Sequence, residues 1–201
     1  MRYADFLILA GDYKTLQQVA TDLSKSASTN ARVYRYLAYA AYENKDYQNG
    51  LTAINTWFQK ADPKRIIPRD YLYQGRLQVA LNQDSVGILT LKKALTLDST
   101  QTDVYAEIAK SYFRQKKYAQ AGDAYREVTL KGGHSVKLTD YFYEGISYYY
   151  GYDTKAPNDS LLTRADSAFS YVIAKTATSP FPDAFLYRAR VNDLKEKDRN
   201  N

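Results

Sequence analysis

YAEIAKSYFRQKKYAQAGDAY, residues 105–125, reads as two matched halves around a polar centre. Tyr105 and Ala109 stand four apart in the first half, and Ala121 and Tyr125 stand four apart in the second. Within each half the apolar residues recur at three- and four-residue steps, the period of an amphipathic helix. The four residues between them, RQKK at 114–117, are too polar for a core and too few for anything but a turn. The stretch therefore predicts two helices folded back on one another.

The same columns run through the chain. A small residue recurs at Ala38, Gly75, Ala109, Gly145 and Ala189, and four residues before each stands an aromatic: Tyr34, Tyr71, Tyr105, Tyr141 and Phe185. Twelve residues after the first three small positions come Gly50, Gly87 and Ala121. Sixteen after come Ile54, Leu91 and Tyr125, and three further on Trp57, Ala94 and Val128. The fourth unit fits through Ala165, Phe169 and Val172 once about eight extra residues are allowed between its halves. Short polar turns (ENKD, LNQD, RQKK) separate the halves, while breakers and caps (ADPKRIIPRD, LDSTQTD, KGGHS, TSPFPD) separate the units. Small residues at the helix crossing let the two backbones approach closely.

This pattern resembles the tetratricopeptide repeat over nearly the whole chain. Residues 105–125 follow the family's columns closely, and ALTLDS (94–99) is similar to its closing element, with serine where the family usually has proline. Gln78 and Asn192 depart from the usual large apolar residue of a first helix, and Asp84 from the tyrosine seen at Tyr47 and Tyr118. The resemblance implies an all-α fold, a right-handed superhelical solenoid of antiparallel helix pairs with about 10–11 helices. One continuous array over 1–201 is expected: a partial unit 1–29, units 30–66, 67–100 and 101–135, unit 136–179 with an insertion at 151–160, and a partial unit 180–201. AGDYKTLQQVATDL (10–23) matches a turn and second helix, and DAFLYRARVNDLKEKD (183–198) is a first helix without a second. Both ends therefore read as cut, and a fragment of a longer array is expected.

The resemblance also implies that one face of each first helix lines a concave groove where partners bind. That face carries Arg32, Arg35, Tyr39 and Tyr42, then Arg69, Leu72, Arg76 and Val79. It continues through Asp103, Ala106, Lys110 and Phe113, with Arg114 beside them, and ends with Thr139, Phe142, Ile146 and Tyr149. In the tyrosine-rich YFYEGISYYYGYD (141–153), Tyr141, Gly145 and Tyr148 fall on packing columns, whereas Phe142, Ile146 and Tyr149 fall on the groove face. The groove is basic and aromatic early and mostly apolar late. It suits a protein or peptide segment with acidic residues at one end and apolar anchors at the other. The opposing reading is a solvated face on which arginines stack on tyrosines. The family's clamp for a C-terminal carboxylate is not expected, because its positions hold Tyr39, Tyr73, Asp103 and Glu107.

Catalytic chemistry finds little purchase. There is no cysteine and one histidine, His134, in the inter-unit KGGHS. No phosphate-binding loop, nucleophile elbow or helical metal-ligand spacing occurs, so neither enzymatic activity nor a cofactor or metal is expected. In the insertion GYDTKAPNDS (151–160), Asp153, Asn158 and Asp159 read as turn formers and an N-cap for the next helix. FLILA (6–10) is too short to span a membrane, and with Asp5 and Asp12 around it makes a poor signal peptide. High tyrosine and absent cysteine favour a bacterial periplasmic setting slightly over the cytoplasm.

The expected function is non-catalytic protein–protein interaction, as a scaffold or adaptor. Single-stranded RNA binding by the same groove is the second reading. It is disfavoured because 22 acidic residues nearly balance 28 basic ones and Asp103 and Asp183 interrupt the basic stripe. The third reading is self-assembly into a homo-oligomer through the ends of the array.

Overall fold

The computed structural model of the protein describes residues 2–26 and 30–199. The expected boundary between the first partial unit and the first full one, at 29–30, lies outside the described residues. Eleven α-helices are present among the described residues, with no strand beyond an isolated bridge between Asp153 and Ala156.

Two compact units divide the chain, Met1–Ser99 and Thr100–Asn201. The first holds α1 (Arg2–Ala10), α2 (Tyr13–Ser24), α3 (Arg32–Glu43), α4 (Tyr47–Lys60), α5 (Pro68–Ala80) and α6 (Asp84–Leu97). The second holds α7 (Thr102–Arg114), α8 (Tyr118–Lys131), α9 (Leu138–Gly151), α10 (Asp159–Lys175) and α11 (Pro182–Arg199). Helices that follow one another within a unit pack as antiparallel neighbours.

The four short turns inside the pairs share one geometry. Gly11, Lys45, Asn82 and Lys116 all adopt positive φ, from 58° to 70°. At Lys45 the amide donates to the Tyr42 carbonyl at 3.0 Å and the next amide, of Asp46, reaches back to Ala41 at 2.8 Å. The same two bonds recur around Asn82 and Lys116, so α3, α5 and α7 each end in a Schellman motif, whereas α9 runs into the insertion through an extended Tyr152. Only Gly11 and Asn82 are residue types suited to that backbone.

Between pairs the linkers differ. Pro63–Arg65 and Gly133–Ser135 each form one 3-10 turn before a helix whose third residue caps its own entry. Asp70 accepts from the Ile67 amide at 2.9 Å, and Asp140 from the Lys137 amide at 2.8 Å. The insertion folds as its composition predicts. Asp153 accepts from the Lys155 amide, and Asn158 caps α10 by accepting from the Ser160 amide at 3.2 Å.

Close approach explains the small columns. A Cβ built on Gly75 would lie 2.7 Å from Leu91 Cγ and 3.0 Å from the Leu91 backbone nitrogen. One on Gly145 would meet the Phe169 ring at 2.7 Å. Around these crossings lie the cores. In the first unit, Tyr39, Ile54, Trp57, Tyr73 and Leu77 form one cluster and Leu16, Val33 and Tyr36 belong to another. In the second, Ile146, Tyr148, Leu162, Phe169, Val172 and Val191 pack together.

Candidate functional site

In the first unit the expected groove residues begin at the start of α3. Arg32 lies with its guanidinium 5.6 Å from the Tyr36 ring centre and 3.5 Å from Asp5. Tyr36 donates to Asp5 at 2.6 Å, and burial first, then that carboxylate, pushes its hydroxyl up to about 12. Arg35 and Tyr39, one and two turns on, are buried. Arg35 Nε and Nη2 donate to the two oxygens of Asp70 at 2.8 and 2.7 Å, and Nη2 also reaches the Arg65 carbonyl at 2.6 Å. Tyr39 donates to Asp70 at 2.7 Å. Burial, then the Asp70 charge, holds the Tyr39 hydroxyl far above the ordinary phenol range, so it stays a neutral donor. Asp70 thus gathers three side-chain donor bonds and one backbone amide, and the polar ends of Arg35 and Tyr39 point into the protein.

Further along, Tyr39 stacks on Tyr73 with ring centres 4.1 Å apart, and Tyr42 meets Tyr73 edge-on at 5.5 Å. Arg76 lies 6.0 Å from the Tyr42 ring and 5.9 Å from that of Tyr73. Arginine stacked on tyrosine is the arrangement expected of a solvated face, and here it accompanies a partly buried one. Arg69 is exposed at the first turn of α5.

In the second unit, Lys110, Phe113 and Arg114 of α7 come together with Tyr125 of α8 and Tyr143 of α9 around a cleft of about 440 Å³. Tyr125 and Tyr143 stack at 5.8 Å and form its aromatic wall. Phe113 packs edge-on against Tyr118 at 5.1 Å, and Arg114 Nη2 donates to Ser111 at 3.2 Å. Phe142 and Tyr149 lie instead against Tyr187 of α11, at 6.2 and 5.4 Å, with Phe181 4.8 Å from Phe142. Ile146 is buried. The tyrosine-rich stretch therefore divides three ways. Tyr148 is core and donates to Asp123 at 2.9 Å, Tyr141 stacks on Tyr171 at 4.0 Å, and Tyr143 serves the cleft.

Asp70, Tyr125 and Tyr143 are not among the groove residues that the helical faces single out. A signal for two of them lies in the chain: DYLYQG at 70–75 returns as DYFYEG at 140–145, carrying the capping aspartate and the cleft tyrosine together. His134 is exposed in its 3-10 turn, and among the described residues no group of three His, Asp or Glu side chains could hold a metal. No helix of the described residues is long and apolar enough to cross a membrane.

Neither a family model nor a curated protein matches the chain. Solved structures do. The chain is similar to the C-terminal part of a TPR repeat-containing protein from Cytophaga hutchinsonii, at 24% identity and TM-score 0.73, over 98% of this chain and 72% of that one. It is similar to MamA at 14% identity and TM-score 0.62, over 100% and 99% of the two chains. It is also similar to YrrB, a TPR protein described as having an unusual peptide-binding site, at 14% identity and TM-score 0.62 over 84% of each chain. Repeat columns, Schellman turns and these likenesses converge on one architecture: the chain has the tetratricopeptide-repeat fold.

Proposed function

We propose that this protein is a non-catalytic interaction module that holds a peptide or protein segment, with the α7–α9 cleft as its principal contact. The observation that carries this reading is the cleft's lining: two cations, Lys110 and Arg114, beside three aromatic rings, Phe113, Tyr125 and Tyr143. Guanidinium and ammonium groups favour carboxylates, while rigid rings give apolar area at small entropic cost. A segment in which Asp or Glu neighbours Phe or Leu satisfies both. The likeness to YrrB supports the same class of ligand.

The test is fluorescence anisotropy with a library of labelled decapeptides that varies acidic and aromatic positions. Acidic-aromatic peptides are expected to bind the wild type with micromolar affinity. The Lys110→Gln, Arg114→Gln double variant is expected to weaken them at least tenfold, about 1.4 kcal/mol. Equal binding by both proteins overturns the reading. Preferential capture of single-stranded RNA, lost steeply between low and moderate salt, replaces it with the nucleic-acid reading.

A further inference from the structure

The first unit contains a second, smaller pocket whose chemistry differs from that of the cleft. It has a volume of about 210 Å³ and is lined by Arg32, Arg35, Trp57 and Arg65. By the ~30 Å³ that a liquid water occupies, several waters or one small oxyanion fit within it.

Its lining is rich in donor side chains, three arginines and a tryptophan. Trp57 is 2% exposed, and its indole Nε1, which can only donate, has no acceptor. Arg35 lies over the Trp57 ring with its guanidinium carbon 4.4 Å from the ring centre. Its Nε and Nη2 are taken by Asp70 and the Arg65 carbonyl, while Nη1 has no partner among the described residues. Arg32 opens α3, a helix with no acidic residue in its first turn, so the positive end of the helix faces a cation rather than the carboxylate usual there.

The local charge is not balanced. Asp70 answers Arg35, and Asp5 answers Arg32. The Arg65 side chain meets no acceptor among the described residues, and its segment KADPKRIIPR (60–69) carries four cations against one acid. Nor does the repeat require the pocket. The positions one repeat pair further on, in the second unit, hold Asp103, Ala106, Val128 and Ser135, yet that unit keeps the capping Asp140.

We propose that this pocket binds a single oxyanion, a phosphate or a carboxylate, between Arg65, Arg32, the Nη1 group of Arg35 and the indole N–H of Trp57. Such a group offers only acceptors to a set of donors of which three, Arg65, the Arg35 Nη1 and the Trp57 indole, have none, and planar guanidinium forks match its geometry. The anion can be free or borne by a bound chain, and the pocket shares no lining residue with the α7–α9 cleft.

Trp57 is the only tryptophan of the chain, so one indole N–H resonance and one emission band report on the pocket directly. The full chain is titrated with inorganic phosphate, acetate, O-phosphoserine and N-acetylaspartate, with ionic strength held constant because surface charge is screened by salt. A saturable shift of the indole N–H is expected, with Kd on the order of 1 mM. Arg65→Gln, a substitution at an exposed position, is expected to raise Kd at least fivefold, and Trp57→Phe, followed by calorimetry, to raise it as well. Response to phosphate and phosphoserine alone assigns a phosphate, and response to acetate and N-acetylaspartate assigns a carboxylate. No saturable shift with any of the four, or an Arg65→Gln titration superimposable on the wild type, overturns the proposal. Because the probes are small anions, failure of peptides to bind the cleft leaves this result standing, and the reverse holds too.

Discussion

Arg35 of α3 and Asp70 of α5 form a two-point ion pair, 2.8 and 2.7 Å, with side chains 9% and 0% exposed. The pair joins the first helices of successive helix pairs across 35 residues of chain. Removing one partner strands a charge without water. Arg35→Met is expected to destabilise the first unit by about 3–5 kcal/mol, read as a shift in its urea transition. The double variant Arg35→Met, Asp70→Leu is expected to recover a substantial part of that loss. A loss below about 1 kcal/mol for Arg35→Met would show that water reaches Asp70. Any loss of partner binding on substituting Arg35 must therefore be read beside a folding measurement.

Glu144 of α9 is buried and accepts from Thr129 at 2.8 Å, with Arg126 at 3.5 Å. Burial raises its carboxyl above the usual value, and the Thr129 hydrogen bond and Arg126 charge offset this only in part. The folded protein therefore binds more protons here than the unfolded chain does, so stability falls as pH rises from the unfolded value through the folded one. Glu144→Gln keeps an acceptor for Thr129, and Gln74 fills the matching position one repeat pair earlier. The variant is expected to melt higher than the wild type at pH 7, with the gain vanishing well below pH 4.5, the ordinary value for this carboxyl. A constant difference across pH 3–8 would assign the effect to packing rather than to the proton.

Lys45 and Lys116 hold left-handed backbone at φ 64° and 58°. A residue with a Cβ is disfavoured there by roughly 1–2 kcal/mol, which glycine avoids at the expense of some chain entropy. Lys45→Gly and Lys116→Gly are each expected to stabilise by about 0.5–1 kcal/mol. Gly11→Ala, at φ 70° with open space around it, is expected to destabilise by a similar amount. Thermal melts of the three variants decide the point, because clashes with neighbouring residues alone predict no penalty at Gly11.

Gly75→Ala is expected to destabilise by about 1–3 kcal/mol. The added methyl would meet both the side chain and the backbone nitrogen of Leu91, and backbone cannot rotate away. Ala38 and Ala109 hold a methyl in the same column, so the expected loss measures how closely α5 and α6 approach. Denaturation of Gly75→Ala with unchanged stability would mean that this helix pair separates freely.

The helix pairs were legible because their signals are local and repeated. Tyr105 and Ala109, Ala121 and Tyr125 declare their faces through the helical period alone, and the turns declare themselves by polarity. The site was less legible because a period assigns a residue to a face and not to a depth. Arg35 and Tyr39 share a face with Arg32 and Tyr42, but Asp70 reaches over the first two, and nothing in the α3 sequence announces that partner. The helical period sets Ile146 beside Phe142 for the same reason, whereas the packing of α10 and α11 decides how much of that face is covered. The repeat columns assign Tyr125 only to packing. Its stack with Tyr143 needs two helices in register before it becomes a wall of the cleft.

The recurrence of DYLYQG as DYFYEG has a meaning for anyone who would rebuild this protein. The chain is written with two rulers, one near 35 residues for the helix pair and one of 70 for the block that carries the 3-10 turn, the capping aspartate and the aromatic pair. An artificial array extended in 70-residue steps would keep linkers with and without the 3-10 turn in alternation. Extension by a single pair would bring two linkers of one kind into succession, a junction that occurs nowhere among the described residues.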